Sequence, residues 1–309
     1  MGMRTTLIIL TMTVLLGAQV PNPTQQPEKT GIRDAGTVPI YRINVVSRTA
    51  TAINYRHRSG ETKIGFQGTV LLPEAKGKAT VEAQKGAAQI DAKFERLDPP
   101  TKFGRQYLTY VLWAVTPEGR ASNLGEIVAD ESNKGKLRTS TELQAFALIV
   151  TAEPYFAVTQ PSDVVVLENV LKAGNVAGTE LVTANYELLK RGEYQYEVDG
   201  SSGPVSTQRL PLDRYEALLE LYQARNAVGF ARSQGADQHA FSAFSKAEKL
   251  LEQAENAYAR NARSKDVVTV ARQASQAAED ARIIALKRKQ LEETPVSEAK
   301  SLPGPSQSQ

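Results

Sequence analysis

From Leu212 onward, small apolar residues recur at alternating spacings of three and four. Ala217, Leu221, Ala224, Val228 and Ala231 fall at intervals of 4, 3, 4 and 3. Phe244, Ala247, Leu251, Ala254 and Tyr258 follow at 3, 4, 3 and 4, and Ala271, Ala274, Ala278, Ala281 and Ala285 repeat that order. Such a period draws an apolar stripe along one face of an α-helix. Helices carrying it lie side by side with a slight left-handed wrap. Alanine on the stripe lets backbones approach closely, since little side chain stands between them. Pro211 marks the start of the first helix, with Asp213 and Glu216 favourably placed in its first turn. Gly235 breaks the run, Asp237 is the expected N-cap of a second helix, and Asn261 and Ser264 mark the next turn. Short turns force antiparallel neighbours. The pattern over 212–293 therefore predicts an antiparallel helical hairpin or three-helix bundle. Alanine buries little apolar area, so modest stability is expected unless a partner helix or the β domain covers the seam.

Before the helices the texture is β. Short runs rich in β-branched and aromatic residues are punctuated by Gly and Pro, as in YRINVVS (41–47), TAINYR (51–56) and TKIGFQG (62–68). ATVEAQ (79–84) and AQIDAKFERL (88–97) alternate more cleanly. QYLTYVLWAV (106–115) is apolar on both faces, which suits the centre of the domain, and Thr116–Gly119 reads as the turn that closes it. NLGEIVAD, KLRTST and LQAFALIVTAE continue the series. Many short strands of this kind predict an Ig-like β-sandwich over 38–170. Residues 171–211 are a connector holding one or two further strands or a short helix, and they end in a Gly/Ser/Pro-rich linker. The expected fold class is thus α+β with two domains.

The N-terminus has the order of a secretory signal. Arg4 precedes an apolar run from Thr5 to Leu16, and Gly17 and Ala18 give a small-residue end. Residues 1–18 are read as the signal peptide, with cleavage after Ala18. The polar, Pro-rich stretch 19–37 is read as a disordered leader and 294–309 as a disordered tail. The apolar run is short for a bilayer span, so no integral span is expected once the signal is removed. The chain has no cysteine, which excludes disulfides, thiolate metal sites and a lipoprotein-type anchor. Lys and Arg total 37 against 34 Asp and Glu, and no block of basic residues dominates the sequence, so no nucleic-acid partner is expected.

The stretches GADQHAFSAFSKAEKLLEQAENAY (235–258) and ARQASQAAEDARIIALKR (271–288) resemble the domain of unknown function numbered 4398. The likeness covers roughly residues 212–290. It implies a bacterial envelope protein. Members of that family are often lipoproteins, and some continue into an OmpA-like peptidoglycan-binding domain. This chain lacks the lipid-anchor cysteine and ends soon after the helices, so neither the anchor nor peptidoglycan binding carries over, and the family supplies no catalytic residues. YVLWAVTPEGRASNLGEI (110–127) is similar to the extracytoplasmic β domain of anti-sigma-K-type factors, which implies something of the fold alone.

No nucleophile elbow, phosphate-binding loop, dinucleotide fingerprint or zinc-protease motif occurs. Gly200–Gly203 offers serines, but in a linker unsuited to a preorganised site. His57 reads as part of a charged hairpin tip and His239 as part of a helix's first turn, both in surface roles. Trp113 reads as a core anchor rather than a ligand platform. Lys287–Lys289 reads as a cluster complementing a helix C-terminus. No catalytic residue, cofactor-binding residue or metal ligand is assigned, and binding residues are unknown. The chain is expected to be a non-enzymatic, exported structural or interaction protein of the periplasm or outer envelope. Its β module would dock an envelope protein or cell-wall polymer, and its helices would act as a spacer or as a homo-oligomerisation surface. The first alternative is a carbohydrate-binding module using Tyr41, Tyr55, Phe66, Phe103 and Tyr107. The second is a hydrolase with an unrecognised carboxylate pair.

Overall fold

A computed structural model describes residues 45–55, 60–84, 86–170, 181–189 and 211–293. Among these described residues ten strands come first: β1 (Val45–Asn54), β2 (Glu61–Gly68), β3 (Lys76–Gln84), β4 (Ala87–Glu95), β5 (Thr109–Val115), β6 (Ala121–Ile127), β7 (Lys134–Thr141), β8 (Ala145–Glu153), β9 (Val165–Val170) and β10 (Leu181–Leu189). Four helices follow: α1 (Leu212–Ser233), α2 (Ala236–His239), α3 (Phe241–Ala259) and α4 (Ser264–Glu293). The architecture is α+β, strands before helices. The signal, leader and tail assignments, the linker up to residue 210, Tyr41 and His57 lie outside the described residues.

The strands form one hydrogen-bonded path, entirely antiparallel, in the order β6-β5-β8-β9-β2-β3-β4-β7. At its two ends β6 and β7 lie alongside each other. Thr139 Oγ1 donates to the Leu124 carbonyl at 2.8 Å, and Ala129 bridges Gly135 just beyond β6, so the sheet nearly closes on itself. The β1–β10 ribbon branches off at the start of β8, where Ile53 and Asn54 pair with Phe146 and Ala145. Asn169 fills the fork. Its side chain accepts from Leu148 N–H at 3.0 Å and donates to the Thr51 carbonyl at 3.0 Å, satisfying backbone groups of both β8 and β1.

Period-two alternation sorts side chains into two cores. On β4, Ala88, Ile90, Ala92 and Phe94 point inward while Gln89, Lys93 and Glu95 face solvent. The inner core adds Ile64, Phe66, Tyr110, Leu112, Phe146, Leu148 and Val166. β5 and β8 are buried on both faces. Their other side presents Val111, Trp113, Val115, Ala147 and Ile149 to the helices, where Val228, Phe230, Ala231, Ala278, Ala281 and Ala285 meet them. Strand and helix thus share one apolar core. A second helical cluster of Leu221, Ala224, Ala254, Ala271 and Ala274 joins α1, α3 and α4. The alanine seam is therefore filled from within the chain, by sister helices and by the sheet.

Several local expectations change. Residues 41–47 and 51–56 were expected as separate strands, but one strand runs through Val45–Asn54, held by pairing with β10 along its length. The connector's described part, Leu181–Leu189, is a strand. The bundle has a short fourth helix, α2, and Asp237 lies inside it. Gly235 takes the N-cap position with φ +82°, a left-handed conformation that favours glycine. Space is short there as well, because a Cβ on Gly235 would come within 2.7 Å of Lys289 Nζ. The α2–α3 break lets the chain turn back onto α4. Lys289 Nζ donates to the Gln234 carbonyl and Arg288 Nη1 to the His239 carbonyl. The basic cluster thus satisfies carbonyls at the ends of other helices rather than those of its own.

Candidate functional site

The groups with the most unusual environments lie where the helices meet the sheet. α4 contributes Glu279 and Arg282, three residues apart and therefore on one helical face. Their side chains are 0% and 7% exposed. Arg282 grips the carboxylate with both arms of its fork, Nε to Oε2 at 2.8 Å and Nη2 to Oε1 at 2.6 Å. The segment after β8 completes the shell. Tyr155 donates its hydroxyl to Oε2 at 2.7 Å, and Thr159 donates both N–H and hydroxyl to Oε1. Both carboxylate oxygens are saturated. Burial alone would raise this carboxyl, but Arg282 and the hydroxyl donors outweigh it and hold Glu279 below the usual carboxylate range. Burial and the neighbouring carboxylate push the Tyr155 phenol well up, so it stays a neutral donor.

A second cluster joins β6, α1 and α4. Arg272 Nη1 meets Glu126 Oε2 at 2.7 Å and also Glu220 Oε1. The two carboxylate side chains are each 6% exposed, while Arg272 is 37% exposed and its guanidinium carbon sits over the Phe156 ring, 3.7 Å from its centroid. Glu126 Oε1 also accepts from Thr109 Oγ1 and Gln223 Nε2, each at 2.7 Å. Gln223 passes the connection on, its Oε1 accepting from Phe156 N–H at 2.7 Å. Glu220 Oε2 has no hydrogen-bond partner. Burial and repulsion from Glu126 push the Glu220 carboxyl up to about 7, against the pull of Arg272. The two carboxylates in turn push the Arg272 guanidinium up, against the effect of its own burial. One guanidinium cannot fully neutralise two buried carboxylates, which favours the protonated form of Glu220.

Below these clusters, Trp113 is fully buried. Its Nε1–H donates to Thr151 Oγ1 at 2.8 Å, and that hydroxyl donates to buried Glu153, which also accepts from Ser162 N–H at 2.8 Å. Asn226 ties α1 to the loops flanking the sheet, donating to the carbonyls of Gln106 and Pro154.

The aromatic set proposed for sugar stacking is not brought together. Tyr55, Phe66 and Tyr107 are core residues, and Phe103 packs half-buried against that core. Phe66 on β2 and the flanking segments that carry Tyr55, Phe103 and Tyr107 all turn these rings toward the inner core, so they form no exposed platform. His239, expected at the surface in a helix's first turn, is instead the last residue of α2 and half-buried, 3.1 Å from the Glu292 carboxylate. Among the described residues no group of His, Asp and Glu has metal-site geometry, and no helix is long and apolar enough to cross a membrane. Glu126, Glu220, Arg272, Glu279 and Arg282 were missed by sequence reasoning. The one available signal was a run of charge, Glu279 to Arg282, set within an alanine-rich helical face. Neither protein-family models nor curated proteins give a match to this chain.

Proposed function

We propose that this chain is a non-enzymatic structural and interaction protein of the bacterial cell envelope. In this reading it is exported, and its β region docks a partner while its helices form a supporting layer. One observation carries it. Glu279 and Arg282 of α4 bond Tyr155 and Thr159 of the segment after β8, and Glu220 of α1 shares Arg272 with Glu126 of β6, so the buried charge ties the helices to the β region. The N-terminal run supports export. The filled alanine seam favours contact through the outer faces of the molecule over oligomerisation along the seam. We read the β region as barrel-like rather than as two Ig-like sheets, a reading supported by the single path from β6 round to β7.

Fractionation of the native protein with mass spectrometry of its mature N-terminus tests the proposal. It expects a start near Gln19 and association with envelope material, with crosslinking identifying the partner. An unprocessed protein recovered with the cytoplasmic fraction would overturn it. The hydrolase alternative rests on Glu126 and Glu220, the carboxylates that share Arg272. Turnover in a screen of glycan and peptide substrates, lost in Glu220→Gln, would establish it instead.

A further inference from the structure

The face of the sheet away from the helices carries a charge pattern that the linear sequence hides. On β2, β3, β4 and β7 the outward residues form rows across the strands. In the middle row Lys78 stands opposite Lys93, and Lys93 opposite Lys136. All three are exposed. Directly paired residues in an antiparallel sheet have Cα atoms about 4.5–5.5 Å apart, and like charges so placed repel. The β2 position of the row is Gly65, which adds no counter-charge. Among the described residues none of the three lysines has an ion pair.

The flanking rows extend the pattern. In one, Lys76 and Lys134 sit on either side of Glu95, and Lys76 Nζ reaches that carboxylate at 3.4 Å. In the other, Arg138 pairs with Asp91 at 2.9 Å, and Lys63 stands beyond Thr80. Three adjacent rows thus hold seven basic side chains against two carboxylates, on a protein whose whole net charge is +3. Acidic residues return in the next row, at Glu61 and Glu82. The core shared with the helices includes no residue of β2, β3, β4 or β7, so the helical layer leaves this face uncovered.

We propose that this lysine ladder is an adsorption surface for an anionic lipid bilayer. The chemistry of the face selects that partner. Six of the seven cations are lysines, hydrated point charges suited to a diffuse field of phosphate headgroups rather than to bidentate recognition. The single arginine is occupied by Asp91. The rings of these strands, Phe66 and Phe94, point into the core, so no exposed aromatic offers the stacking that single-stranded nucleic acid uses. No apolar side chain projects from the rows either, so attachment is electrostatic and without insertion. The charges also spread in two dimensions, over four strands and three rows, which matches a surface better than a linear chain. This deepens the docking reading above but can fail separately, because binding to vesicles does not depend on where the cell sends the protein.

The test is co-sedimentation of the full chain with vesicles of about seven parts phosphatidylcholine to three parts phosphatidylglycerol, alongside vesicles of phosphatidylcholine alone. Binding to the anionic vesicles alone is expected, and it should be lost at high salt. Near an anionic surface each lysine is worth about fivefold in partitioning, so Lys78→Gln/Lys93→Gln/Lys136→Gln should weaken binding by roughly 100-fold. That variant relieves repulsion, so its thermal midpoint should hold or rise. Lys246→Gln/Lys249→Gln/Lys265→Gln removes the same charge from the helices and should bind almost as the natural protein does. Equal losses in both variants would overturn the proposal, because net charge would then explain the binding. So would equal binding to neutral vesicles or no binding to either kind. Ladder-dependent binding of soluble polyphosphate without vesicle binding would assign the face to a linear polyanion instead.

Discussion

At Glu279 one carboxylate meets one guanidinium, whereas at Glu220 two carboxylates share Arg272. Both clusters join the helices to the β region, and both carboxylates are nearly inaccessible. At Glu279 every oxygen is taken up by Arg282, Tyr155 or Thr159, and the ionised form is favoured. At Glu220 one oxygen has no partner, Glu126 repels the charge, and the protonated form is favoured. Burial is similar in the two places. What separates them is charge balance and the number of hydrogen bonds, so depth alone does not set how a buried carboxylate behaves.

The largest expected effect comes from breaking the saturated cluster. Arg282→Ala leaves Glu279 as a buried charge with hydroxyl donors alone, and unfolding by denaturant should show a loss of about 3–5 kcal/mol at neutral pH. A loss below about 1 kcal/mol would mean that water reaches Glu279 and that the cluster is not closed.

The second test uses pH. Glu220 binds a proton more tightly folded than unfolded, so its contribution to stability is fully present below the ordinary carboxyl value of 4.5 and is lost as pH rises through about 7. Glu279 has the opposite sign. Its contribution is present above the ordinary carboxyl range and is lost as acid drives pH down through its depressed value. Glu220→Gln should therefore flatten the stability profile between about pH 5 and pH 8, and at the upper end it should stabilise the protein by on the order of 1–2 kcal/mol. A Glu220→Gln protein less stable at pH 8 than the natural one would show that the ionised carboxylate is needed there.

A smaller shift is expected from Glu126→Gln, which removes the repulsion but keeps Arg272 beside Glu220. The pH-dependent loss assigned to Glu220 should move toward acid, read as a displaced midpoint in the same series of denaturation curves. An unmoved midpoint would mean that burial alone sets the Glu220 proton. The smallest effect is expected at the solvent-exposed pair Arg138–Asp91, where Arg138→Gln should change stability by about 0.5 kcal/mol or less in thermal melts. A large loss there would blur the contrast between surface and junction.

Much of the fold could be read from local patterns. The three-and-four spacing located α1, α3 and α4, and alternation at Ala88–Phe94 located β4 and its inward face. The run ending at Val115 was legible as a strand buried on both sides, and Trp113 as its core anchor. The candidate site was almost wholly illegible. Glu126 and Arg272 are separated by 146 residues, and neither stretch of sequence marks its charge as buried. The aromatic platform failed for a related reason. An aromatic residue in a strand is equally compatible with either face until the register is known, and here Tyr55 and Phe66 turned inward.

The sequence by itself determined which segments could be helices and strands, because hydrophobic period is a property of residues three or four, or two, positions apart. It also implied modest stability for the helices unless the alanine seam is covered, since alanine buries so little apolar area. The tertiary structure decided what covers the seam, which carboxylates meet which arginines, and that Lys78, Lys93 and Lys136 stand in one row. Those neighbours come from strand register and helix docking between distant segments. Their energies depend on local dielectric and on the charges that folding brings within a few ångströms, and a linear sequence holds neither.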